Sequence, residues 1–74
     1  MRRLLGRNAK RARLLAGLTQ EQLAVKSGFA QQYISDMERG LRNPTIVSLY
    51  EIAQALGTTP VALIAPDEEA AREG

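Results

Sequence analysis

Residues 19–40, TQEQLAVKSGFAQQYISDMERG, space two short helices across a tight turn, and this spacing constrains the chain more than any other feature. Thr19 is placed to cap a helix running to Lys26, Gly28 opens the turn, and a second helix is expected from Ala30 to Arg39. Helices that cross steeply within a few residues need a small side chain on the first, a residue tolerant of positive φ between them, and apolar anchors on the second. Ala24, Gly28, Ile34 and Met37 meet those needs. Leu23 and Ala24 on one helix, with Ile34 and Met37 three apart on the other, turn an apolar stripe toward a common core. The outer face of the second helix is left with Gln31, Gln32, Ser35, Asp36 and Arg39.

Such an arrangement is the grammar of a helix-turn-helix, whose second helix enters the DNA major groove. Charge is sorted along the chain in the sense this requires. Residues 1–42 hold nine of the ten Lys and Arg but three of the eight acids, a net charge of +6, whereas residues 43–74 carry −4. A solvated helical surface would carry basic residues too, and it is their coupling to the motif that favours DNA. With neither cysteine nor histidine, the chain lacks disulfide frameworks, zinc fingers and the commonest general base. Its scattered carboxylates form no catalytic constellation, so no enzyme activity, metal or cofactor is expected. No apolar run nears the ~20 residues of a membrane span and no credible signal peptide precedes the first helix, which suits a cytoplasmic protein.

The flanking segments add three more helices. Leu4 to Leu15 reads as a first helix stopped by Gly17, with Leu4, Arg11 and Leu15 on one face and Ala12 nearby. Thr19 with Gln22 forms a potential capping box, and Leu18 a hydrophobic staple. Beyond Gly40 and the loop closed by Pro44, Thr45 caps a fourth helix that Gly57 ends; its core stripe is expected to be Ile46, Leu49, Tyr50, Ile52, Ala53 and Leu56. Thr59-Pro60 starts a short fifth through Val61, Leu63 and Ile64. The prediction is an all-α, compact bundle of five short helices over residues 1–65, followed by an acidic, frayed tail over 66–74. A single domain this small buries only a little over ~60% of its unfolded surface, too little for a deep pocket.

Several segments in register resemble the XRE family, the lambda-repressor-like, Cro/CI-type helix-turn-helix regulators: GLTQEQLA at 17–24, SGFAQQYISDMERG at 27–40, RNPT at 42–45 and LYEIAQALG at 49–57. The likeness covers roughly residues 4 to 65. It implies a lambda-repressor-like DNA-binding domain with the motif at helices 2 and 3. It also implies base readout by Ala30, Gln31 and Gln32 at the start of the recognition helix, with Ser35 one turn on at a position that meets bases or phosphate; Asp36 beside it departs from the family pattern and either accepts from a base or points away. Glutamine pairs bidentately with adenine N6 and N7, and a carboxylate accepts from cytosine N4. By the same resemblance, Gln20 contacts phosphate and braces the recognition helix through Gln31, while Arg13 pairs with Glu38 and is presented toward phosphate. Tyr33, Arg39, Arg42 and Asn43 are expected at the phosphate backbone, joined from the first helix by Arg11 and Arg7.

The expected activity is that of a sequence-specific regulator of transcription that binds duplex DNA as a homodimer on a near-palindromic operator. One recognition helix contacts few base pairs, and two half-sites multiply specificity. Tyr50, Val61, Leu63 and Ile64 exceed what a tiny core needs and are the candidate dimer surface. Because the DNA-binding domain fills the chain, control is expected through concentration and autoregulation, as in Cro-like repressors and restriction-modification controllers. The alternative is the antitoxin of a toxin-antitoxin pair, with a toxin as partner; acidic residues near bound RNA polymerase would make that enzyme another.

Overall fold

Local caps set where each helix begins. In the computed structural model, which describes residues 1–66, five α-helices follow one another: α1 Arg2–Leu15, α2 Gln20–Ser27, α3 Gln31–Glu38, α4 Ile46–Leu56 and α5 Pro60–Ile64. At α2 the capping box is complete: Gln22 N–H donates to Thr19 Oγ1 at 3.1 Å, and Thr19 N–H donates to Gln22 Oε1 at 2.8 Å. Thr45 and Thr59 cap α4 and α5, accepting from Ser48 N–H and Ala62 N–H, each at 3.1 Å. Between α2 and α3 the chain reverses at Gly28 with φ of 83°, a left-handed conformation that disfavours any residue with a Cβ. From residue 67 onward, the tail expected over 66–74 lies outside the described residues.

α1 packs on α3 and α5, α2 on α3 and α4, and α4 on α5, so α3 is held from two sides. Leu23, Ile34, Met37, Ile52 and Leu63 are the largest wholly buried side chains, and Leu5, Ala9, Ala24, Leu49, Ala53, Ala55 and Leu56 complete the core. The tightest approach is at Gly6. A Cβ there would lie 2.6 Å from the Met37 carbonyl oxygen and 2.7 Å from that of Glu38, so α1 rests directly on the last turn of α3. On its opposite side α1 holds α5: the buried Asn8 amide donates to the carbonyls of Leu63 at 2.8 Å and Ala65 at 3.0 Å, closing the end of that helix.

The structure shows which face of α1 is buried and corrects two expectations, on α4 and α5. α1 turns Leu5, Gly6, Asn8, Ala9 and Arg13 inward, while Leu15 is 82% exposed. Apart from Leu5, its inner face is small or polar because Gly6 and Ala9 admit a close helix contact and Asn8 and Arg13 find internal partners. On α4, Ile46 and Tyr50 lie outside the stripe formed by Leu49, Ile52, Ala53, Ala55 and Leu56. Leu63, expected at a dimer surface, is 2% exposed and belongs to the core, because α5 points it between α1 and α4.

Candidate nucleic-acid interface

The interface is built outward from a buried ion pair. Glu38, on the last turn of α3, accepts from Arg13 Nε at 2.7 Å and Nη2 at 3.1 Å, and from Gln20 Nε2 at 3.2 Å. The Arg13 and Glu38 side chains are only 9% and 3% exposed. Charges buried to that extent persist only when paired and hydrogen-bonded, and the fork geometry of arginine meets both conditions. Arg13 Nη1 donates to the Leu18 carbonyl at 2.9 Å. One carboxylate thus ties α1 and α2 to the end of α3 and fixes the angle at which α3 leaves the body.

This geometry reassigns two residues. Three of the five Arg13 N–H groups donate within the protein and the side chain is 9% exposed, which leaves little surface for its expected phosphate contact, while its pairing with Glu38 holds. Gln20 does brace α3, but through Glu38 at its C-terminal end and not through Gln31 at its start. Gln20 and Gln31 nevertheless line the same open depression where the end of α1 meets the starts of α2 and α3.

At the other end of α3, Ala30, Gln31 and Gln32 are exposed together on the first turn, and Ser35 is half-buried behind them. Asp36 Oδ1 accepts from Gln32 Nε2 at 2.8 Å and Arg39 Nη2 at 3.0 Å, and Arg42 Nε lies 3.9 Å from Oδ2. The Gln32 and Arg39 hydrogen bonds, aided by the positive charges of Arg39 and Arg42, hold the Asp36 carboxyl below its ordinary range and outweigh the opposing effect of burial. Arg39 and Arg42 keep 62% and 52% of their side-chain surface exposed, with Asn43 exposed beside them. Arg11 is half-buried on α1.

Tyr33 is held in a stack that the sequence reading missed. Its ring lies 4.8 Å from that of Phe29 at an interplanar angle of 15°, and the Arg42 guanidinium sits 5.1 Å from the Tyr33 centroid. The Phe29-x-x-x-Tyr33 spacing was the available signal. Gly6 and Asn8 were missed as well; a glycine and an asparagine inside a run of strong helix formers are departures that only tertiary partners explain.

Among the described residues no cluster of three or more His, Cys, Asp or Glu could hold a metal ion, and no helix is long and apolar enough to cross a membrane.

Comparison with known proteins agrees with this geometry. The helix-turn-helix family model (HTH_3) matches residues 10–63. An uncharacterized HTH-type transcriptional regulator of Sinorhizobium fredii is 55% identical over 69 residues, covering 93% of this chain and 90% of that protein. Control protein C.BamHI of Bacillus amyloliquefaciens is 37% identical over 65 residues, 86% of this chain and 80% of the relative. Among solved structures, the restriction-modification controller protein C.AhdI from Aeromonas hydrophila matches with a TM-score of 0.82 at 35% identity, covering 85% of this chain and 96% of that one. The chain therefore belongs to the helix-turn-helix family of XRE type, whose members are non-enzymatic, DNA-binding transcriptional regulators.

Proposed function

We propose that this regulator acts in the cytoplasm as a homodimer that reads a near-palindromic operator, each protomer laying α3 in the major groove of one half-site. The observation that carries the reading is the division of α3 into a locked end and a free one: Glu38 is buried in the network of Arg13 and Gln20, while Gln31 and Gln32 project from the opposite turn. A base reader must be held rigidly by the body of the protein, because hydrogen-bond discrimination depends on position. Ala30 and Ser35 flank these readers and would meet apolar or polar base edges. Gln20, Tyr33, Arg39, Arg42, Asn43 and Arg11 would set the register against phosphates.

The dimer reading is supported by apolar side chains the fold leaves outside. Ile46, Val47 and Tyr50 on α4, with Val61 and Ile64 on α5, are 72%, 63%, 53%, 71% and 36% exposed. Ile46 and Val47 join the expected set, in which Leu63 no longer has a place. The likeness to a control protein and to a restriction-modification controller favours the controller reading, in which this protein also regulates its own gene. Footprinting of the promoter upstream of the protein's own gene tests this: two adjacent protected half-sites are expected, and a promoter with no protection would overturn it.

A further inference from the structure

Asp36 differs from the other polar residues on the outer face of α3 because one of its oxygens already accepts two hydrogen bonds. It lies one turn after Gln32 and one turn before Arg39, and both donate to the same oxygen, Oδ1, at 2.8 and 3.0 Å. An ionised carboxylate accepts and cannot donate, so this contact dictates the orientation of the Gln32 amide. Its nitrogen faces Asp36 and its Oε1 is turned away. An unheld glutamine amide presents either end to a base, and the two ends recognise different bases.

We propose that Asp36 is a positioning residue for base readout: it fixes the polarity of the Gln32 amide so that Gln32 selects adenine over guanine, while the Asp36 carboxylate itself reads no base. The proposal rests on Gln32 entering the major groove as argued above. With one N–H spent on Asp36, Gln32 retains Oε1 as an acceptor and one N–H as a donor. Adenine offers the matching pair, the N6 amine and the N7 acceptor. Guanine offers two acceptors, O6 and N7, which would call for the opposite end of the amide. Turning that end outward would press Oε1 against the Asp36 carboxylate, acceptor against acceptor. The adjacent Arg39 and Arg42 guanidiniums offset the negative charge, so the device leaves the surface net positive where phosphates approach.

The test uses the full chain and two duplexes. Duplexes selected from a random pool first identify the base pair at which Gln32→Ala relaxes preference. Dissociation constants are then measured for the selected duplex and for its A·T to G·C counterpart, with the unaltered protein, Asp36→Asn, Gln32→Ala and the double variant. The ratio of the two constants does not depend on the fraction of protein folded. Asp36→Asn keeps the shape of the side chain but supplies an amide that turns to meet either end of Gln32, so this variant is expected to lower the adenine preference about tenfold. The double variant should lose no more than Gln32→Ala alone. Binding to unrelated duplexes should tighten in Asp36→Asn as a negative charge is removed, a change opposite to any folding defect. An unchanged ratio in Asp36→Asn would overturn the proposal, as would a loss at a different base pair, which would make Asp36 a reader. If Gln32→Ala relaxes no base pair, the readout assigned to Gln32 falls first; if it does and Asp36→Asn does not, only the positioning role falls.

Discussion

Glu38 is the residue that anchors α3 to α1 and α2. Removing its carboxylate leaves the Arg13 guanidinium buried without a countercharge, and breaking such a pair costs about 3–5 kcal/mol. Glu38→Ala is therefore expected to lower the urea midpoint severely, measured by far-UV circular dichroism. The exposed residues separate by a different criterion. Gln31→Ala should cost ~1–3 kcal/mol on the selected duplex and relax one base position, whereas Arg42→Ala should weaken all duplexes alike and reduce the salt slope by about one. Competition titrations against single-base variants distinguish the two patterns. Much at this scale was legible beforehand: the Arg13–Glu38 pair and the exposure of Gln31 and Gln32 follow from motif register. The partners of Gln20 and Asp36 did not, because which of several nearby acceptors a flexible amide or guanidinium meets is decided by tertiary distance.

Among the elements, the helix ends were readable and the helix faces only in part. Capping is local chemistry, so Thr19, Thr45 and Thr59 mark starts within a few residues of their partners. Burial is not local. The inner face of α1 contains a glycine, an asparagine and an arginine, and the Leu63, Ala65 and Glu38 groups that the last two bond lie 25 to 57 residues away, so an apolar count along the helix does not show which side is buried. Likewise, Leu63 and Ile64 are indistinguishable in sequence, yet the first is 2% and the second 36% exposed. The crossing of α1 over α3 makes a clear prediction at this scale. Gly6→Ala forces a methyl against two backbone carbonyls that have no rotamer to yield, so despite alanine's better helix propensity it should destabilise the domain by about 1–3 kcal/mol. Thermal unfolding would check the sign; a higher midpoint would mean that α1 shifts freely on α3.

For the whole molecule, the longest principal extent, 31 Å, is close to the ~34 Å of one DNA helical turn. The proposed dimer, with two copies abutting through the exposed apolar side chains of α4 and α5, requires the two α3 helices to reach successive major grooves. If the dimer neutralises about six phosphates, log K should fall with log salt at a slope near −5, read from fluorescence anisotropy across a salt series. The sorting of charge, +6 in residues 1–42 against −4 beyond, favours that electrostatic component, and the exposed Arg39 and Arg42 belong to it. Sequence-independent attraction alone would produce the same slope, so the decisive measurement is the selection of bound duplexes from a random pool. Inverted repeats with half-sites about one helical turn apart are expected. Salt-sensitive capture of every duplex, with no sequence enriched, would contradict base-specific readout by α3.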